Sequence, residues 1–122
     1  MRSCWVDSLE LVIEKTVADD PSGRYISAFA EEMPFKNNSF DVGVYSHVLE
    51  HVFGPELVLS EAKRIIKPKG KIVVIVPFDF GVDANHLRAY NKNSLVNLIS
   101  YFFHQVEYFD RIGEGHGCIG IK

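Results

Sequence analysis

Ser46 and His47 close a run of mostly apolar residues that begins at Phe40, and His51 follows four positions later. A hydroxyl and two imidazoles at such a place can hold a ligand, because open α/β sheets collect ligands at the carboxyl ends of their strands. On one helical turn His47 and His51 share a face. That spacing also suits a metal ion, but no third ligand accompanies the pair, and no metal is expected. Capping or packing would occupy His51 equally well. Asp79, Asp83 and His86 form a second polar group, which loop composition explains without a metal. His104 and His116 lack any motif around them and are expected at the surface. Cys4 and Cys118 have neither metal spacing nor a disulfide framework, and they read as small buried hydrophobes. No residue type or spacing here singles out a catalytic group.

The elements that must position these residues alternate between strand and helix periods. A short strand is predicted over 3–6 and a helix over 8–18, where Leu9, Val12, Ile13, Thr16 and Val17 share one face. Asp7 or Ser8 can cap that helix, and Asp19-Asp20-Pro21-Ser22-Gly23 ends it. A second strand follows over 25–29, then a turn at 36–39 and a third strand over 40–45. Gly54-Pro55 opens the next helix, with Val58, Leu59, Ala62, Ile65 and Ile66 on one face. Lys67-Pro68-Lys69-Gly70 is expected to stop it. The run over 71–76 is β-branched without alternation from Ile72 onward, which predicts a strand covered on both faces. A third helix over 92–103 carries Leu95, Leu98, Ile99, Phe102 and Phe103 on one face. Strands over 106–112 and 117–121, joined by Gly113-Glu114-Gly115, suit an antiparallel hairpin. The pattern as a whole predicts an α/β doubly wound, mostly parallel sheet ending in an antiparallel hairpin, within a single domain.

Composition narrows the partners. The chain has 122 residues, 47% of them hydrophobic and 24% charged, which is ordinary for a globular protein. A formal net charge of −3 gives no reason to expect nucleic acid or an anionic membrane surface. The longest apolar run, over 72–78, is interrupted by Pro77 and too short to span a bilayer. Asp7, Glu10 and Glu14 argue against a secretory signal in residues 1–17. A reduced, cytoplasmic setting is expected.

Several motifs combine into a wider resemblance. Ala28-Phe29-Ala30-Glu31-Glu32-Met33-Pro34-Phe35 is followed by Ser39-Phe40-Asp41, the strand, and Leu49-Glu50-His51-Val52. Leu59, Glu61, Arg64 and Lys67-Pro68-Lys69-Gly70 complete the series. This run resembles the class I S-adenosylmethionine-dependent methyltransferases, with their "LPF", "SFD", "LEHV" and "L-x-E-x-x-R-x-L-K-P-G-G" segments. The resemblance implies a Rossmann-like methyltransferase fold, S-adenosylmethionine as cofactor and a small-molecule acceptor for the methyl group. It implies cofactor contacts at Asp7, as an acceptor for the ribose hydroxyls, at Phe29 and Ala30 beside the adenine, and at Ser46 and His47 near the methionine part, where the acceptor is the alternative contact. For Asp7 the helix-cap role stays open. Phe29 stands where the family usually has Asp, so it can stack but cannot accept the adenine amino hydrogen bond. His86-Leu87-Arg88-Ala89-Tyr90 is similar to a lid segment of small-molecule members, which implies acceptor contacts at His86, Arg88 and Tyr90, with His51 beside them. The family has no universal catalytic residue to carry over.

One part of the family pattern is missing. The Gly-rich turn that cradles the cofactor would lie before the segment around Asp7, which precedes Phe29 by 22 residues. The expectation is therefore an N-terminally truncated chain whose central first strand is missing or replaced. Strand 3–6 could fill the vacant slot, giving a six-stranded sheet, or a second copy could cover it, giving a homodimer. Natural coding upstream of Met1 is a further alternative. The rival function is a catalytically inactive remnant serving as an interaction module.

Overall fold

A computed structural model describes residues 5–7, 25–77, 89–112 and 115–122, with side chains from Ala28 onward except at Ile112. The chain divides into two compact units, Met1–Pro34 and Phe35–Lys122.

In the first unit, β1 (Trp5–Asp7) pairs in parallel with β2 (Tyr25–Ser27), in a register running from Trp5↔Tyr25 to Asp7↔Ser27. A parallel pair needs a crossover of a dozen residues or more between its strands. The helix expected over 8–18 falls in that stretch, outside the described residues. β2 ends two residues before the expected boundary. Phe29 instead forms an isolated antiparallel bridge with Glu32, whose N–H donates to the Phe29 carbonyl at 3.1 Å.

The second unit runs β3 (Phe40–Ser46), α1 (Pro55–Ile65), β4 (Ile66–Pro77), α2 (Lys92–Phe102), β5 (His104–Ile112) and β6 (Gly115–Ile121). The sheet order is β3-β4-β6-β5, with β3 and β4 parallel and the β4–β6 and β6–β5 ladders antiparallel. The α/β architecture and the terminal antiparallel pair agree with the expectation. The six-stranded sheet does not appear among the described ladders, because β1 pairs with β2 while β3 pairs with β4.

Local chemistry accounts for the helices. Pro55 starts α1 where its missing N–H costs nothing, Glu56 sits in the first turn, and Lys63 and Arg64 sit in the last. A reciprocal cap starts α2: Asn91 Oδ1 accepts from the Ser94 N–H at 2.9 Å, and Ser94 Oγ accepts from the Asn91 N–H at 3.0 Å. Val58, Leu59 and Ala62 of α1, Leu95 and Ile99 of α2, Phe103 just beyond it, and Ile72, Val74 and Val76 of β4 are all buried. Each large apolar side chain so buried contributes roughly 1.5–3 kcal/mol.

Two expectations about β4 need correction. The Lys67-Pro68-Lys69-Gly70 stop ends the helix but not the chain's regular structure, since β4 already begins at Ile66. A register shift between Phe40 and Val42 accommodates the extra residues, and Lys69 takes φ 66. Gly70 is required there: a Cβ would lie 2.7 Å from the Asp41 carbonyl oxygen and 2.8 Å from that of Lys67. Nor are both faces of β4 covered alike. Ile72, Val74 and Val76 are fully buried, whereas Val73 and Ile75 are half-buried, and Val44 on β3 is 63% exposed.

Candidate functional site

The carboxyl end of β3 supplies the site. Ser46 is the last residue of the parallel register, opposite Ile75, and is exposed. His47 extends the ladder by one bond, its N–H donating to the Ile75 carbonyl at 2.8 Å. It then turns the chain with φ 57, a left-handed conformation that crowds any residue bearing a Cβ. Strained backbone of this kind, held by its surroundings, is common at ligand sites. The turn that follows is closed by the His51 N–H donating to the Val48 carbonyl at 3.0 Å.

This turn buries Leu49 and Glu50 while leaving the two histidines exposed. Tyr90, just before α2, is itself buried, and its hydroxyl donates to the Leu49 carbonyl at 3.4 Å. Tyr90 therefore meets the site through the backbone of the β3 turn. Glu50 is 1% exposed, and neither carboxyl oxygen has a hydrogen-bond partner among the described residues. His47 stands close by, with its Nδ1 3.6 Å from Glu50 Oε2. Glu50 was not singled out from the sequence, although a carboxylate three residues after a histidine on a tight turn was legible there.

The remaining expected site residues fall on other segments of the chain. Asp7 ends β1, opposite Ser27, and only its backbone is described. Phe29 is 69% exposed and Ala30 is half-buried in the turn after β2. These three belong to the first unit, and Ser46, His47, His51 and Tyr90 to the second. His86 and Arg88 lie outside the described residues. Among the described residues, no three His, Cys, Asp or Glu side chains come together as a metal site.

The Glu61 and Arg64 of the sequence motif act on structure rather than on a ligand. Arg64 donates from Nε and Nη2 to Glu61 at 2.6 and 2.9 Å. Its Nη1 reaches the Phe35 carbonyl at 2.7 Å and Asn37 Oδ1 at 3.0 Å, tying α1 to the loop that feeds β3. Behind β3, burial and then the Glu61 charge raise the Tyr45 phenol well above its ordinary range.

A second pair went unforeseen at the β5–β6 ladder. His116, expected at the surface, is 3% exposed, and its Nδ1 lies 2.7 Å from the Tyr108 hydroxyl. The correction follows from alternation: His116, Cys118 and Gly120 pair with Val76, Val74 and Ile72, the buried face of β4. Lys92 Nζ stands 5.4 Å from the Tyr108 ring centroid. Cys118 is buried as expected, which pushes its thiol up to about 11.

Known proteins resemble this chain in sequence and in fold. A family model described as a methyltransferase domain matches residues 5–74. The ubiquinone/menaquinone biosynthesis C-methyltransferase of Blochmanniella pennsylvanica is 40% identical over 58 residues, covering 48% of this chain and 22% of that protein. A SAM-dependent methyltransferase from Thermotoga maritima superposes with a TM-score of 0.77 at 22% identity, covering 96% of this chain and 72% of the other. A SAM-dependent methyltransferase from Archaeoglobus fulgidus gives a TM-score of 0.78 at 16% identity, covering 96% and 74%. Among the described residues, no helix is long and apolar enough to cross a membrane.

Proposed function

The chain belongs to the methyltransferase-domain family, in the class I S-adenosylmethionine-dependent group, and on that premise we propose that it transfers a methyl group from S-adenosylmethionine to a small-molecule acceptor. The observation that carries this reading is the exposed Ser46–His47 pair at the carboxyl end of a parallel strand, where doubly wound sheets hold their ligands. A hydroxyl and an imidazole there match the hydrogen-bonding needs of the cofactor's amino-acid end. S-adenosylmethionine supplies an activated methyl group on a sulfonium, and the protein's share is orientation and the handling of the acceptor's proton.

In this reading Ser46 and His47 meet the methionine part, with His47 also within reach of the acceptor, Phe29 and Ala30 flank the adenine, and Asp7 accepts from the ribose. His51, His86 and Arg88 serve the acceptor side, with Tyr90 holding the β3 turn against the start of α2. The Gly-rich turn of the family is not among the 122 residues, so cofactor affinity is the exposed point. Calorimetric titration with S-adenosylmethionine and S-adenosylhomocysteine tests it. Saturable binding at micromolar Kd, about −8 kcal/mol, supports the reading. An absence of heat at high protein concentration sinks it and leaves the interaction module as the function to pursue.

A further inference from the structure

The side-chain atoms left buried without a hydrogen-bond partner, among the described residues, are the two carboxyl oxygens of Glu50. A buried polar group in that condition calls for an explanation in terms of strain, chemistry or an absent partner. Glu50 stands directly behind the site, 3.6 Å from His47 Nδ1. That separation exceeds a hydrogen bond, but a small rotation of either side chain closes it. Apo catalytic pairs are commonly this loose and tighten when the acceptor arrives.

His47 is held at the end of β3 with its side chain partly open to solvent. Its backbone is fixed by the bond to Ile75 and by the left-handed turn, while its side chain remains 45% exposed. The two nitrogens of an imidazole sit on different edges of the ring. With Nδ1 turned to the buried carboxylate, Nε2 lies on the edge away from it. A neutral imidazole protonated at one nitrogen accepts at the other.

The geometry points to a carboxylate–imidazole base: Glu50 holds the proton of His47 on Nδ1, and Nε2 removes the proton of the methyl acceptor. This inference rests on the methyl-transfer reading and deepens it by naming the acceptor class, a hydroxyl, amine or thiol with a proton to lose. The step balances without a further reagent. The acceptor heteroatom forms a bond to the methyl carbon, and the carbon–sulfur bond breaks with its electron pair staying on sulfur. The sulfonium becomes a neutral thioether, the acceptor proton passes to Nε2, and the imidazolium formed faces Glu50. His47 is then the catalytic residue and Glu50 the positioning residue. Among the described residues, the titratable groups on this turn and bonded to it include His51, exposed, and Tyr90, whose hydroxyl is directed at the Leu49 carbonyl.

The test reads the tautomer and does not depend on turnover. Long-range proton–nitrogen correlation on the 15N-labelled 122-residue chain reports which imidazole nitrogen carries the proton, and His47→Gln assigns the His47 signals. The expected result is an Nδ1–H tautomer for neutral His47, lost in Glu50→Met and restored in Glu50→Gln, whose amide oxygen still accepts. An Nε2–H tautomer in the unmodified chain overturns the proposal, as does an Nδ1–H tautomer that persists in Glu50→Met. Should Glu50→Met fail to fold, the unmodified chain decides alone. Titration with S-adenosylhomocysteine separates the two claims. Binding with the wrong tautomer removes the base and keeps the methyltransferase. The right tautomer without binding keeps the pair and removes methyl transfer.

Discussion

Replacing Glu50 with methionine should make this protein more stable. The carboxyl group is 1% exposed with both oxygens unpartnered, and a buried polar group left unsatisfied costs about 1–3 kcal/mol, more when charged. Among the described residues, the charge pair recorded for Glu50 is with His47 at 3.6 Å. If that ring were an imidazolium, the attraction would be roughly 5 kcal/mol at an effective dielectric of about 20. Solvent at the half-exposed ring and the desolvation of the carboxylate erode most of that gain. A neutral ring offers far less. Methionine is unbranched and adaptable, so it can fill the space without opening a large cavity. The expected net gain is about 1–3 kcal/mol. For a domain near this size that corresponds to a rise in Tm of roughly 5–10 °C. Thermal melts, together with urea titration showing a higher midpoint at unchanged m-value, would measure it. A loss of 1 kcal/mol or more in Glu50→Met would refute the reasoning, because it would show Glu50 to be satisfied by a partner. Stability gained at the expense of a strained site is the usual mark of a functional residue.

Three further outcomes are expected. Asn91→Ala removes the side chain that caps α2 and should lower stability by about 1 kcal/mol, with Asn91→Asp close to neutral, as read from urea midpoints. Phe103→Ala empties a site that is 1% exposed and packed over Gly120, where a Cβ would sit 2.8 Å from that of Phe103; a loss of roughly 3–5 kcal/mol is expected, and a loss below 1 kcal/mol would mean that α2 does not seat on β6. Alkaline pH should weaken the fold, because burial raises the Cys118 thiol from 9.0 to about 11 in the folded chain. Between those values the folded state holds the proton that the unfolded state has released, so stability falls as pH rises through the window, by roughly 2–3 kcal/mol at most. A urea midpoint that stays level from pH 8 to pH 10.5 would mean that Cys118 is open to water.

Much of the second unit was legible in the sequence because its signals are local. The 3.6-residue face of Val58, Leu59, Ala62 and Ile65 is the buried face of α1, and the Asn91–Ser94 spacing is a cap whose partners lie within one turn. The β5–β6 pairing followed from two short runs separated by glycines. The extent of β4 was not legible, because the passage through Lys69 and Gly70 depends on the Asp41 carbonyl lying against that backbone. Uninterrupted apolar residues over 72–76 suggested two covered faces, yet apolar character does not say how much surface the rest of the chain brings to each. The half-buried Val73 and Ile75 answer that.

The candidate site divides in the same way. The order of residues already placed Ser46 and His47 at the end of a strand, and the motif series already marked the family, since both are properties of spacing along the chain. Only the tertiary structure decided that Glu50 is buried without a partner, that Tyr90 reaches the backbone of Leu49, and that His116 is an inward-facing residue on Tyr108. Burial and hydrogen-bond partnership arise when segments distant in sequence close on one another, such as Leu49 with Tyr90 across forty-one positions. A linear pattern names the groups that can do chemistry; the packing around them determines which are desolvated, oriented and able to act.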